Sequence, residues 1–364
     1  MIEKKKILFV LPSLGIGGAE RVITNLCNHL DRAKYEIQIV LLKESRKSYF
    51  SLLNRDVSVI QLKLRSRLRY SLIHLLWCVK KQKADVVFMG IGDLNLLVSP
   101  FLFLFRGSRW IARETNTVSL RVKNPFIHLL YKIFYRNFDC VVAQSNGMKT
   151  DLIQNFALPE NRVVVIENPI DVDYISEKLI QGLEEAVLPK IKINLVACGR
   201  LTVQKGFDNL IKAFSKVRNI QDYHLTIIGE SMAGDFEDQS TYLIQLVKDL
   251  QLEEFVSFAG HQSNIYPILE KADFFVLSSR YEGFANVVLE SLACGTPVLA
   301  NLYSEDIFSI IEDRVNGLVF SIEQESFDAI LEEALKINWS KVEIMESIRR
   351  FHVQSVVKKY EQIL

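Results

Sequence analysis

Two glutamates stand eight residues apart in SSRYEGFANVVLESLACGTPVLA, the stretch from Ser278 to Ala300. Glu282 is followed by Gly-Phe-Ala-Asn, and Glu290 interrupts an apolar run, with VVL before it and SLAC after it. An acid and a base working across one bond is the first chemistry that such a pair brings to mind. The spacing opposes it, because helical rise of about 1.5 Å per residue puts the two roughly 12 Å apart, beyond the ~5–9.5 Å of hydrolytic carboxylate pairs. Two glutamates so placed suit the two ends of one elongated ligand. A carboxylate in apolar surroundings, as at Glu290, also demands a partner.

Two cations lie upstream in VACGRLTVQKGFDNL, where Arg200 directly follows an apolar run and Lys205 comes five residues later at the entry to a helix. A guanidinium that forks across two oxygens beside a compact ammonium suits a diphosphate. Gly283 to Asn286 open the helix that carries Glu290. Backbone N–H groups around Ala285, Asn286 and Val287 are expected to face the ligand, with the helix dipole favouring phosphate. Near the start, LPSLGIGGAER sets Gly15, Gly17 and Gly18 before another helix, which lets backbone approach a ligand closely. It is not a full GxGxxG followed by an acidic ribose contact, and that argues against a nicotinamide enzyme. Histidines and carboxylates show no metal-site spacing, so no bound metal is expected.

The elements that must position these groups follow from an alternation of apolar runs and helical stretches. KILFVL, EIQIVLL, VSVIQL, DVVFMG, RWIARE, DCVVAQS and RVVVIEN occupy the first half; INLVACG, HLTIIG, FVSFAG, DFFVLSS, TPVLAN and GLVF occupy the second. Such a rhythm predicts α/β architecture with parallel sheets covered on both faces. At 364 residues the chain exceeds one ordinary core, so two Rossmann-like doubly wound domains facing a cleft are expected. Their spans are 1–170 and 171–340, and the last helical stretch, 341–364, is left to pack on either half. Parallel sheets bind ligands beyond the carboxyl ends of their strands, where the polar residues above lie.

Hydrophobic residues make up 49% and charged residues 24%, which gives no support to disorder. The five cysteines, Cys27, Cys78, Cys140, Cys198 and Cys294, lack CxxC or Cys/His spacing and read as reduced core residues of a cytosolic protein. MIEKKKILFVLPSLG has the lysines of a signal peptide but no cleavage site, and reads as a first strand. Residues 86–105 are long enough to cross a bilayer, yet Gly90, Gly92, Asp93, Asn95 and Pro100 interrupt them, so a strand, a turn and a helix are expected.

The net charge of +1 hides a division: residues 1–170 hold 26 Lys+Arg against 13 Asp+Glu, and the remainder 18 against 30. The segment from Lys63 to Lys83 interleaves Arg65, Arg67, Arg69, Lys80, Lys81 and Lys83 with Leu, Ile and Trp77, and Asn124 opens an aromatic stretch beside Lys132 and Arg136. That pattern suits an amphipathic surface on anionic lipid. Core-packed helices with solvated ends would read the same way. No nucleic-acid recognition motif accompanies the charge, and no nucleic-acid partner is expected.

EGFANVVLE resembles the E-x7-E signature of retaining glycosyltransferases of the GT-B fold, in particular glycosyltransferase family 4. The resemblance continues, in chain order, through GGAER at 17–21, NPID at 168–171, GRLTVQKG at 199–206, GHQSN at 260–264, ADFFVLSSRYEGF at 272–284 and ACGTPV at 293–298. It implies a nucleotide sugar, most simply a UDP-hexose or UDP-N-acetylhexosamine, bound by the C-terminal half. Glu290 would accept hydrogen bonds from the ribose and Glu282 would contact the donor sugar. Arg200 and Lys205 would neutralise the diphosphate, helped by the backbone of Gly283, Phe284, Ala285, Asn286 and Val287. Gly17 and Gly18 would close over the phosphates, and the base would sit near Gly260, His261 and Gln262.

The same resemblance implies a retaining, metal-independent transfer, without a cofactor, to a glycan on a polyprenyl diphosphate or a polysaccharide, at the inner face of the cell membrane. Glu114 and Asn116 are the acceptor-side candidates, although Thr115 stands where relatives often have His or Arg. The acidic stretch IIGESMAGDFEDQSTYLIQ, including residues 230–240, is longer than the family's usual Gly-x-Gly turn. Two other readings stay open: a nucleotide-sugar epimerase or hydrolase of the same fold, and a noncatalytic scaffold.

Overall fold

The structure, a computed structural model, describes residues 4–15, 17–44, 48–63, 72–182, 188–189, 193–231 and 238–364. Internal contacts divide the chain into two units, Met1–Pro169 with Phe351–Leu364, and Ile170–Arg350.

In the first unit β1 (Lys5–Leu11), β2 (Tyr35–Leu41), β3 (Ser58–Gln61), β4 (Val86–Met89), β5 (Arg109–Arg113), β6 (Cys140–Ala143) and β7 (Val163–Val165) pair in parallel. Their order is β3-β2-β1-β4-β5-β6-β7. The helices are α1 (Gly18–His29), α2 (Leu72–Gln82), α3 (Gly92–Val98), α4 (Val118–Arg121), α5 (Pro125–Phe134) and α6 (Asn146–Gln154). Strands such as KILFVL are apolar at successive positions because both faces are covered. Ile7, Phe9 and Leu11 pack with Val22, Ile23 and Leu26 of α1, whereas Leu8 and Val10 join the core beneath α2, α3, α5 and α6 on the other face. Residues 86–105 form β4, α3 and a 3-10 turn (Ser99–Leu104), as their interrupting polar residues predict.

In the second unit β8 (Ile193–Cys198), β9 (Tyr223–Ile228), β10 (Val256–Gly260), β11 (Phe274–Leu277), β12 (Val298–Asn301) and β13 (Gly317–Phe320) form a parallel sheet ordered β10-β9-β8-β11-β12-β13. Its helices are α7 (Val172–Gln181), α8 (Phe207–Phe214), α9 (Ser240–Asp249), α10 (Tyr266–Lys271), α11 (Asn286–Ala293), α12 (Phe327–Lys336) and α13 (Lys341–Ser347). Asp171 caps α7 by accepting from the Tyr174 N–H, and Ser326 caps α12 through the Ala329 N–H.

The helical stretch expected over 341–364 is two helices. The first, α13, belongs to the second unit, and α14 (Val353–Glu361) belongs to the first. Val353, Val356, Val357 and Tyr360 of α14 enter the core beside α1. Lys359 pairs with Glu167 at 2.7 Å, and Lys5 Nζ donates to the Leu364 carbonyl at 2.6 Å, which fixes the end of the chain to the first sheet.

Candidate functional site

In the second sheet the strand order reverses between β8 and β11, and the loops beyond their carboxyl ends are where a doubly wound sheet takes a ligand. These two loops carry Arg200 with Lys205, and Glu282. Lys205 Nζ meets Glu282 Oε1 at 2.6 Å, with the side chains 17% and 9% exposed. Ser279 Oγ donates to the same carboxylate oxygen at 2.7 Å. Residues 77 apart in sequence thus form one charged centre that water still reaches. Arg200 is exposed at the loop's start.

Glu290 sits on the second turn of α11, half-buried, with Tyr266 Oη donating to its Oε1 at a long 3.4 Å. It adjoins the same centre through Cys198: burial pushes that thiol up to about 12, the Glu290 carboxylate adds to the rise, and Lys205 opposes it. Of the five cysteines, only Cys198 is not fully buried. Tyr303, beyond β12, is raised above the usual phenol range by burial and then by the Glu282 carboxylate.

The helix that follows Glu282 starts at Asn286 with Ala285 as its cap, and Gly283, Phe284 and Ala285 are buried. The Asn286 N–H donates to the Phe284 carbonyl at 3.0 Å. His261 and Gln262 follow β10; Gln262 Nε2 donates to Ala259 O at 2.6 Å and His261 is half-buried. The strand ends here come close enough to exclude side chains: at Gly229, φ +140°, a Cβ would lie 1.8 Å from the Gly199 carbonyl.

The first unit treats its expected site residues differently. Gly17 is the extended N-cap of α1, and the first turn already holds a carboxylate, Glu20, whose Oε2 would meet a Gly17 Cβ at 2.4 Å. The Gly18 backbone begins that helix. Glu114, just past β5, is buried: Tyr135 Oη donates to its Oε1 and Asn95 Nδ2 lies 3.4 Å from the same oxygen. Burial pushes the carboxyl up to about 7, against the pull of Arg121 and those hydrogen bonds. Arg121 is held by Asp93 and by Tyr131 Oη, the latter at 2.6 Å. Asn116 is half-buried in the loop beyond Glu114.

Sequence reasoning missed Ser279, Arg280, Tyr303 and Asp208 in the second unit, and Asn95, Tyr131 and Tyr135 in the first. Tyr131 and Tyr135 sit four apart in an apolar helical stretch, which read as a membrane-facing pattern rather than as two hydroxyls turned inward. The partners of Arg280 lie more than 70 residues away, where no spacing signals them.

Two doubly wound parallel α/β units with their polar groups at the strand ends define the GT-B class. HepE of Anabaena, solved in complex with UDP and glucose, has the same fold: the TM-score is 0.80 at 21% identity over 99% of each chain. Residues 16–174 match the family model described as Glycosyltransferase Family 4, and residues 184–350 that described as Glycosyl transferases group 1. The chain belongs to this family of glycosyltransferases, and its reaction is glycosyl transfer. A Campylobacter jejuni relative, named N-acetylgalactosamine-N,N'-diacetylbacillosaminyl-diphospho-undecaprenol 4-alpha-N-acetylgalactosaminyltransferase, is 27% identical over 351 residues, covering 88% of this chain and 87% of its own. The lipopolysaccharide core biosynthesis glycosyltransferase LpsE of Rhizobium meliloti is 25% identical over 368 residues, covering 96% of each.

Proposed function

We propose that the chain transfers a sugar from a UDP-sugar, with retention at the anomeric carbon, to a glycan acceptor carried on a polyprenyl diphosphate or a related lipid. The observation that carries this reading is the Lys205–Glu282 pair at the reversal of the second sheet. Glu282 holds hydroxyls of the donor sugar, Glu290 accepts from the ribose, and Lys205 with Arg200 faces the diphosphate. The backbone of Gly283, Phe284, Ala285, Asn286 and Val287 completes the phosphate contacts, and His261 lies toward the base. In the first unit, Gly17 and Gly18 are the candidates for phosphate contact, and Glu114 and Asn116 those for the acceptor.

The bond from the anomeric carbon to the β-phosphate oxygen breaks, and UDP leaves with the electron pair. The acceptor oxygen bonds to the anomeric carbon on the face that UDP departs, and the acceptor's proton passes to the leaving phosphate oxygen. Fixed cations stabilise the charge that develops on UDP without a metal. UDP in a related fold and a diphospho-undecaprenol acceptor in a relative's name support the donor and acceptor classes.

A lipid-borne acceptor places the enzyme at the surface of a membrane, at its inner face, and one side of the first unit fits that placement. Ile73 and Trp77 of α2, Phe103 in the 3-10 turn and Phe126 of α5 are 79%, 66%, 68% and 65% exposed. Leu129 and Ile133 of α5 are exposed as well, and α5 buries only Tyr131. Residues 57–138, which contain all of these, hold 14 Lys+Arg against 3 Asp+Glu. Exposed apolar groups in a cationic field match an anionic bilayer on both counts. No helix among the described residues is long and apolar enough to cross a membrane. Arg65, Arg67 and Arg69 lie outside the described residues.

Incubation with UDP-hexoses and UDP-N-acetylhexosamines tests the reading, with and without a lipid-linked glycan, followed by determination of the product anomer. Transfer that requires acceptor and gives the donor's anomeric configuration is expected. Rapid donor turnover without acceptor would favour the epimerase or hydrolase, and an inverted product would overturn retention.

A further inference from the structure

We infer that Arg280 is a positioning residue for the donor sugar: it clasps the loop after β8 to the loop after β11 and thereby sets the geometry of Glu282 against Lys205. This rests on the reading of Glu282 as the sugar contact, and goes beyond it by assigning the group that holds that contact in place.

The clasp is a ladder of bonds between two short loops. Ser278 Oγ donates to the Lys205 carbonyl at 2.8 Å. The Arg280 N–H donates to the Gln204 carbonyl at 2.8 Å, and Gln204 Nε2 returns a bond to the Tyr281 carbonyl at 3.1 Å. The Arg280 guanidinium then reaches across to α8: NH1 donates to Val203 O at 2.7 Å and to Asp208 Oδ1 at 2.8 Å, while NH2 donates to Asp208 Oδ2 at 2.8 Å and to Asn209 Oδ1 at 3.1 Å. Burial works to raise the Asp208 carboxyl, and the guanidinium overrides it, holding that carboxyl below its usual range.

Lys205 lies within the clasped segment and Glu282 stands just after it. Gly206, at φ +63°, locks the join, since a Cβ there would sit 2.2 Å from the Ser278 carbonyl. Asn301 Nδ2 braces the same loop by donating to the Ser279 carbonyl at 3.0 Å. The guanidinium's donors turn to Val203, Asp208 and Asn209, and none of its bonds goes to Glu282 or Lys205. Its influence on them passes through the backbone of Gln204, Lys205 and Tyr281. A planar fork that makes four bonds to a loop and a helix is a device for fixing geometry that lysine cannot copy. Groups that act on a bond need placement within about 0.5 Å, which a supporting layer of this kind supplies.

The test compares the affinity of the full chain for UDP with that for the UDP-sugar that raises its melting temperature most among UDP-glucose, UDP-galactose and their 2-acetamido counterparts. The quantity read is the gain in affinity that the sugar adds to UDP. Glu282→Ala should abolish this gain. Arg280→Ala should abolish it too, weaken UDP binding no more than Lys205→Ala does, and lower kcat roughly tenfold or more while KM for the acceptor holds. Arg280→Lys should recover only part.

Loss of UDP affinity beyond that caused by Lys205→Ala would mark Arg280 as merely structural and overturn the inference. Retention of the gain in Arg280→Ala, with its loss in Glu282→Ala, overturns the inference alone. Retention of the gain in Glu282→Ala overturns the sugar contact and the inference together, as does a wild-type chain indifferent to all four sugars. If Arg280→Ala does not fold by circular dichroism, Arg280→Lys and Asp208→Asn carry the test with the same outcomes.

Discussion

The two units share one topological plan and use it in opposite ways. In both sheets the strand order reverses beside the first strand of the unit, β1 with β4 and β8 with β11. In the second unit the loops beyond the reversal are cross-linked by charged side chains that remain in reach of solvent, Lys205 and Glu282 among them. In the first unit the first turn of α1 carries Glu20, and the carboxylate Glu114 beyond β5 is enclosed by Tyr135 and Asn95. The difference teaches that a parallel sheet fixes where polar groups gather, whereas local burial decides whether they meet a ligand or one another.

The sharpest way to break this contrast is to remove the reachable charge. Lys205→Ala should lower the transfer rate by roughly 10²–10³-fold, the scale of losing one fixed group that stabilises developing charge. Initial rates at saturating donor measure it. A rate within threefold of wild type would remove Lys205 from the reaction.

The buried acid of the first unit answers to pH instead. Its carboxyl has an ordinary value of 4.5 and is pushed up to about 7 in the folded chain, so folding retains a proton that the unfolded chain releases between these values. The contribution is fully present below about pH 4.5 and is lost as pH rises through 7, a difference on the order of 3 kcal/mol. Gln has no proton to lose. The melting temperature of Glu114→Gln should therefore gain on wild type as pH rises from 5 to 8, and a constant offset across that range would refute the titration.

A smaller effect is expected at Glu290. Glu290→Ala should weaken UDP binding by about tenfold or somewhat more, as befits the loss of hydrogen bonds to a charged group. Unchanged affinity in titration calorimetry would end its assignment to the ribose.

Much of this frame was legible in the sequence, for identifiable reasons. Apolar runs such as KILFVL and DFFVLSS announce strands buried on both faces, and glycines such as Gly206 mark the turns beyond them. The residues Lys205, Glu282 and Glu290 could be chosen because charges at strand ends and inside apolar helices are costly unless used. What stayed hidden depends on contacts between distant segments. Asp208 and Arg280 look like solvated charges until the loops meet. Tyr135, in the stretch NPFIHLLYKIFYRNF, gives no sign that its hydroxyl will turn inward to Glu114, because a helical pattern shows a face but not what it packs against. The helices at 341–364 hid their division for the same reason, since the contacts of α14 lie with the beginning of the chain.

The charge contrast between the halves leads to the smallest expected effect. The most exposed apolar residues of the first unit stand in a segment rich in Lys and Arg, whereas the most exposed of the second, Ile180 and Val342, have charges of both signs beside them, Glu177 with Lys178 and Lys341 with Glu343. Apolar exposure alone would make both units adhere to a bilayer, while apolar exposure within a cationic field favours only the first. Trp77→Ser with Phe126→Ser should lower partitioning onto vesicles containing phosphatidylglycerol by several-fold, since each ring is only partly covered by lipid. Ile180→Ser with Val342→Ser should leave it unchanged. Added salt should weaken the wild type and narrow its gap to the first variant, because screening weakens the attraction of the segment's Lys and Arg that would bring the rings to the lipid. Equal losses from the two pairs would show that the lipid does not distinguish the units, and would return α2 and α5 to ordinary solvated surface.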